Sequence, residues 1–345
     1  MIKLGIIGLP RSGKATIFLA LTGATETSNL RRMDQIGVVS VPDERVDRLS
    51  SMYRPKKTTY AQIEYLLPAP TITKKVPHGE NETWKLVKHC DALIHVVRNF
   101  QESAGDIPNS RDDFQKLEQE LILADFMIVE KRLDRIESDK KKGRKIDEDE
   151  HALLRSSLGL LEAGNPLRDN PELACSPVLR GYTFLSAKPV LVLFNNPDED
   201  DAFPEWAKMK KKLNAMVVRG ALEMELATMS PEDAAEFLGA FDIHATARHR
   251  VIQRSYELLG LISFFTVGED EVKAWTVKKG TVALDAADTI HSDMKKGFIR
   301  AEVLAYGDLI KSGSYQEAKK GGLVRLEGKE YPVADGDIIH FRFNV

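Results

Sequence analysis

The sequence predicts a mixed α/β protein: a parallel-sheet domain interrupted by a helical hairpin and followed by a small α+β domain. Three observations predict it. Short apolar runs at 2–7, 92–97 and 190–194 have the texture of parallel strands covered on both faces. Between the second and third runs lies a long amphipathic stretch in which Phe114, Leu117, Leu121, Ala124 and Ile128 step by three and four. From Gly260 onward the pattern changes to short alternating pieces divided by turns.

The first run leads into Gly8-Leu9-Pro10-Arg11-Ser12-Gly13-Lys14-Ala15, and 15–21 reads as a helix. Strand, glycine-bounded loop ending Gly-Lys, and helix together make a phosphate-binding loop. Gly8 and Gly13 let backbone N–H groups curl around phosphate oxygens. Lys14 meets the β- and γ-phosphate charge, and the helix N-terminus adds its dipole. Pro10, Arg11, Ser12, Gly13, Lys14, Ala15 and Thr16 are the candidate phosphate-side residues. One type is out of place. A Ser or Thr after the lysine would ligate Mg²⁺, and Ala15 has no ligand atom. Thr16 does not replace it, because the next helical residue points about a quarter-turn away.

Composition bounds the rest. The 345 residues, 43% hydrophobic and 29% charged, suffice for two or three domains with cores. A net charge of −3 leaves no global nucleic-acid footprint, so any such contact is a local patch. Cys90 and Cys175 lack metal-ligand spacing, and Cys90 reads as a small core residue. No signal pattern precedes the loop and no apolar run approaches membrane length. A cytoplasmic setting without membrane contact is the expectation.

In order along the chain, the polar stretch 24–32 lies where P-loop enzymes place a switch loop; 36–41 reads as a strand and 43–52 as a short helix. The strand 63–67 would end in Asp-x-x-Gly in a hydrolytic P-loop protein, but runs into Leu66-Leu67-Pro68-Ala69-Pro70. His95, inside an apolar run, reads as a core histidine rather than a catalyst. The amphipathic helix turns at the basic tip Lys140-Lys141-Lys142-Gly143-Arg144-Lys145. Asp147 to Glu150 open a second helix carrying Leu154, Leu158 and Leu161. The tip is a candidate contact for RNA or a partner, or simply a solvated charge run.

The strand 190–194 ends in Asn195-Asn196-Pro197-Asp198. Strand ends of a doubly wound sheet are where ligands sit, so Asn195 and Asp198 are candidates to hold a base. A helix with a basic face (Lys208, Lys210, Lys211, Lys212) is expected over 204–214, with further helices over 232–238 and 245–259. Strands are expected over 262–267, 272–277, 298–306, 323–326 and 338–343, with a helix over 285–292.

The chain resembles the YchF family, the Obg-like ATPases among translation-factor-class P-loop proteins. The resemblance rests on the loop at 8–14, Ile36-Gly37-Val38-Val39-x-Val41-Pro42-Asp43, Glu120 to Asp125 and Val129-Glu130-Lys131-Arg132. The C-terminal motifs are more specific: Phe264-Phe265-Thr266, Ala274-Trp275-Thr276, Lys279-Gly280-Thr281, 296–303 and 336–345 look like the family's TGS domain. The resemblance implies a G domain over 1–110 and 186–260 (linker helices included), a hairpin at 111–185 and TGS at 261–345. It also implies ATP or GTP binding with an unusual preference for ATP, and association with ribosomes, with the tip and TGS as places for RNA contact.

Several positions depart from the family. Arg11-Ser12 replace Asn-Val, Ala15 replaces the Mg²⁺ hydroxyl, the switch loop is shorter, and the Asp-x-x-Gly segment is gone. Arg219-Gly220 stand where the family's last base-contact pair, Ser-Ala, would be. Asn195 and Asp198 align with the base-reading Asn and acid; a one-residue shift would instead use Asn196 and Glu199. Groups that cradle phosphate survive, while groups that hold Mg²⁺ and sense the γ-phosphate do not, which puts Mg²⁺ in doubt. The reading is a nucleotide binder with slow or absent hydrolysis. Its rivals are an ATPase with remodelled metal ligands and a ribosome-binding module with a vestigial site.

Overall fold

The computed structural model describes residues 2–24, 33–69, 82–102, 106–210, 213–240 and 245–344. The strands are β1 (Ile2–Ile7), β2 (Gln35–Ser40), β3 (Lys57–Thr59), β4 (Gln62–Leu67), β5 (Ala92–Arg98), β6 (Val190–Asn195), β7 (Ala215–Val218), β8 (Leu261–Val267), β9 (Glu271–Lys278), β10 (Phe298–Ala305), β11 (Arg325–Glu327) and β12 (Asp337–Phe343). The first helices are α1 (Lys14–Thr22), α2 (Glu44–Tyr53), α3 (Glu82–Val87), α4 (Ser110–Lys141), α5 (Glu148–Glu162), α6 (Pro171–Ala174) and α7 (Glu205–Lys208). They are followed by α8 (Gly220–Leu226), α9 (Pro231–Ala240), α10 (Ala247–Leu259), α11 (Ala283–Ile290), α12 (Ser292–Lys296), α13 (Tyr306–Ser312) and α14 (Tyr315–Lys320). Two compact units result, one of residues 1–39 with 64–251 and one of 40–63 with 252–345.

The N-terminal unit is built on a sheet in the order β2-β4-β1-β5-β6-β7. β1, β5, β6 and β7 run parallel in sequence of pairing. β6 is buried along its whole length and β5 in all but its last residue, which is why their sequences are almost uniformly apolar. Parallel register brings the ends of β1, β5 and β6 to one edge, where Gly8, Arg98 and Asn195 stand. Ligands of open α/β sheets bind outside such carboxyl ends.

α4 begins on an Asn109 cap, whose side chain accepts the Asp112 amide at 3.2 Å. α5 begins on Asp147, which accepts the amides of Asp149 and Glu150 at 3.0 and 3.1 Å. Between them Gly143, at φ +71°, turns the chain through the exposed basic tip. α4 packs in two registers. Phe114, Leu117 and Leu121 join the core with Ile7, Val97, Val192 and Phe194. Ile122, Val129, Leu133 and Ile136 instead pack with Leu154 and Leu161 of α5.

The expected seam residue Ile128 is therefore exposed, and Val129 takes the buried place. One stripe of period three-and-four cannot face two partners on different sides of a helix, so it shifts where the partner changes. Between the two halves sits Asp125, fully buried, accepting the amides of Leu185 at 2.9 Å and Ser186 at 2.6 Å. Burial pushes its carboxyl up to about 6, against the opposing pull of those hydrogen bonds.

The C-terminal unit has the sheet order β11-β10-β12-β8-β9-β3. One face packs Phe264, Val277, Val303, Ile339 and Phe341 against Ala283, Ala286 and Ala287 of α11. The sheet takes its last strand from far upstream. β3 pairs in parallel with β9, Lys57 opposite Glu271, and α2 belongs to the same unit. α2 is capped by Asp43, which accepts the Arg45 amide at 2.9 Å. The Arg45 guanidinium bonds Asp43 and Asp335, each at 2.8 Å, and lies 5.0 Å over the Phe265 ring.

Other expectations shift. The helix over 204–214 is reduced to α7, with Lys210 beyond its end and Lys211 and Lys212 outside the described residues. The last short strand is 325–327 rather than 323–326, and the helix over 285–292 divides into α11 and α12. The stretch 25–32 of the switch-loop reading and Pro70 also lie outside the described residues. Among the described residues no helix is long and apolar enough to cross a membrane.

Candidate functional site

The loop after β1 is held in shape by contacts that exclude side chains. A Cβ on Gly8 would lie 2.5 Å from the Val96 carbonyl, so only glycine lets β1 leave the sheet there. The Ser12 amide closes the turn on the Leu9 carbonyl at 3.2 Å. Gly13 adopts φ +88° and caps α1 with no side chain to bind the first-turn amides. Those amides and the helix dipole are left for an anion. Pro10 and Arg11 form the exposed apex, Ala15 is exposed and Thr16 half-buried.

Lys14 folds back over the loop, its Nζ donating to the carbonyls of Gly8 and Leu9, each at 2.7 Å. Burial lowers its ammonium to about 8. A cation held by two carbonyls and short of solvent is poised to exchange them for phosphate oxygens.

The other side of the loop is braced by Asn195. Its Nδ2 donates to the Ser12 carbonyl at 3.2 Å and its Oδ1 accepts the Gly220 amide at 3.0 Å. A Cβ would meet that carboxamide at 2.1 Å from position 13 and at 2.6 Å from position 220. Ser12, Gly13, Asn195 and Gly220 therefore form one cluster. Asp198 accepts the Leu222 amide at 3.1 Å and so caps the start of α8, while Arg219 Nη1 donates to the Asp198 carbonyl at 3.4 Å.

Asn196 is buried, bonded to Asn99 and to the Ala202 carbonyl, each at 2.9 Å. Of the two alignments, only the one that uses Asn195 puts an asparagine in contact with the phosphate loop. His95 is buried, stacked on Phe114, and held at about 3 by burial, with Arg168 and Lys14 adding to the shift. It stays neutral in the core. Sequence reasoning missed the contact of Arg11 with Glu102 at 3.4 Å; its signal was an arginine in an otherwise uncharged loop apex.

Position 15 offers no side-chain oxygen, and no group of three or more His, Cys, Asp or Glu among the described residues is arranged to hold a metal ion. The position after the lysine therefore supplies no hydroxyl ligand for a Mg²⁺ ion. The loop does fit a nucleotide phosphate chain, through the first-turn amides of α1 and Lys14.

Sheet order, loop and asparagine brace define a P-loop protein of the α/β class. A family model described as "YchF-GTPase_C: Protein of unknown function (DUF933)" matches residues 261–344. The chain is 38% identical to the ribosome-binding ATPase YchF of Bacillus subtilis, covering 99% of each chain. To that of Mycoplasma genitalium it is 36% identical over 100% of each. The solved YchF GTPase of Schizosaccharomyces pombe superposes with a TM-score of 0.84 at 28% identity, covering 99% of this chain and 97% of that one. A GTP-binding protein of Pyrococcus horikoshii shares the fold, with a TM-score of 0.62 at 19% identity and coverage of 99% and 100%. The chain belongs to the YchF family.

Proposed function

We propose that this chain binds a nucleoside triphosphate, ATP or GTP, at the loop 8–15, associates with ribosomes, and hydrolyses the nucleotide slowly or not at all. The observation that carries the nucleotide reading is Lys14, folded onto two carbonyls above uncapped first-turn amides. Those amides bind the phosphates, and Lys14 moves from the carbonyls of Gly8 and Leu9 to their oxygens. Asn195 fixes the loop against Gly220, and Asp198 with Arg219-Gly220 borders the base. The relatives named ribosome-binding ATPases support the ribosome as partner, with the basic tip of the hairpin and a TGS domain at 261–345 as its contact surfaces. In this reading 1–110 and 186–260 are the G domain and 111–185 its inserted hairpin.

Slow turnover follows from the metal ligands. Mg²⁺ bound by a Ser or Thr hydroxyl neutralises charge between the β- and γ-phosphates, and Ala15 cannot hold it. Asp198 spends one carboxylate oxygen on α8, so its grip on guanine is loose; affinities for ATP and GTP are expected within about tenfold, with ATP ahead. Equilibrium binding of labelled ATP and GTP, followed by phosphate release with and without EDTA, tests this. Failure of both nucleotides to bind would reduce the chain to an interaction module with a vestigial site. Fast, EDTA-sensitive release would establish a normal ATPase whose metal ligands lie elsewhere.

A further inference from the structure

The phosphate loop carries a second cation that the nucleotide reading leaves unused. Arg11 stands at its apex with φ +64°, a conformation a non-glycine residue rarely adopts and one that costs on the order of 1 kcal/mol or more. Such strain clusters at active sites and ligand clamps. The guanidinium is held by Glu102, on the loop that follows β5, at 3.4 Å; the arginine is largely exposed and the glutamate about half exposed. The neighbouring Asp106 is engaged with Arg98 at 2.5 Å. An exposed ion pair of this length contributes little, so Arg11 is free to change partners.

A triphosphate in the loop would be a stronger partner than Glu102. It offers several anionic oxygens to a planar guanidinium that binds them two at a time. The same loop lacks the hydroxyl that would bring Mg²⁺, so the phosphate charge would otherwise be met by Lys14 and backbone amides alone.

We propose that Arg11 is a phosphate ligand built into the loop. When a nucleoside triphosphate enters, the guanidinium leaves Glu102 for the phosphate oxygens and supplies part of the charge that Mg²⁺ supplies to loops with a hydroxyl after the lysine. Nucleotide binding then survives removal of divalent cations. Glu102 restrains the arginine when the loop is empty. This rests on the nucleotide reading above.

The test is titration of labelled ATP in excess EDTA and in saturating Mg²⁺, with the full chain and the variants Arg11→Ala, Arg11→Lys, Glu102→Gln and Lys14→Ala. Expected results are metal-free binding by the parent chain and its loss by about tenfold or more in R11A. R11K should recover part of it, E102Q should bind more tightly without metal, and Mg²⁺ should narrow the gap between R11A and the parent. Arg11→Asn carries the same expectation and accepts the left-handed backbone readily, covering the case in which R11A does not fold. Equal metal-free affinities of R11A, R11N and the parent, with K14A defective, would overturn this inference alone. Binding by the parent in Mg²⁺ but not in EDTA would also overturn this inference alone, whereas absence of binding in both conditions, or equal binding by parent and K14A, would overturn the nucleotide reading and this inference with it.

Discussion

A methyl group on Gly13 would lie 2.1 Å from Nδ2 of Asn195, the atom that donates to the Ser12 carbonyl. Gly13→Ala therefore meets a clash as well as the strain of φ +88°, and it should abolish nucleotide binding. Asn195→Ala removes the clash but strands the Gly220 amide, costing about 1–3 kcal/mol. The double variant should be more stable than the two single costs imply, by about 0.5 kcal/mol or more in denaturant unfolding. Strictly additive costs would mean that the two groups do not meet.

Lys14→Ala should weaken ATP or GTP binding by about 1.5–3 kcal/mol, the worth of a charge-assisted hydrogen bond. The pH dependence has a definite sign. The free ammonium sits at about 8, and adjacent triphosphate raises it. Below about pH 8 the lysine is charged with or without ligand, and this group leaves affinity flat. Above it, binding takes up a proton and affinity falls as pH rises, by up to about tenfold per pH unit. Calorimetry in two buffers of different ionisation enthalpy reads the uptake directly. No uptake near pH 9 would place Lys14 away from the phosphates.

Asp125 ties the hairpin to the backbone at Leu185 and Ser186. Its folded carboxyl titrates near 6, above the ordinary 3.8, so the folded state holds the extra proton between them. The stability it contributes is fully present below about pH 4 and is lost as pH rises through about 6, on the order of 3 kcal/mol in all. Asp125→Asn should remove that slope from the pH–stability curve. It also turns an amide donor toward two backbone donors, and should lower stability at pH 7 by about 1–3 kcal/mol. An unchanged slope in the variant would assign the titration to another group.

Arg45 holds α2 to the C-terminal sheet through Asp335 and the Phe265 ring. Arg45→Ala should destabilise that unit by about 2 kcal/mol, and Arg45→Lys should restore only part, because an ammonium cannot span both carboxylates as a fork does. Hydrogen exchange of the Lys57 amide, bonded to the Asp270 carbonyl at 3.1 Å, should accelerate in R45A if α2 and β3 are docked together. Unchanged protection there would separate them.

The buried parallel strands, the phosphate loop and the hairpin were legible because each follows from a local period or a short motif. The assembly of the site was legible only in part. Asn195 could be placed at a strand end, but its bracing of Ser12 against Gly220 depends on chain segments that meet only in three dimensions. Asp125 did leave a signal, an acid at the four-residue spacing between Leu121 and Val129 in an apolar stripe. β3 left none. Lys57-Thr58-Thr59 is polar and three residues long, and its partner strand lies in another part of the sequence.

That pairing has a consequence for how the chain is made. It leaves the N-terminal unit at Ser40, forms α2 and β3 for the other unit, and returns at Glu64. Lys57 waits for Glu271, more than two hundred residues later. At ordinary rates of synthesis that is about 10–40 s during which β3 has no strand to join. The early sheet can close while the detour between its strands β2 and β4 is still unfinished. Truncation before residue 252 would likewise yield the first unit carrying an orphaned helix and strand. No single cut separates the two halves.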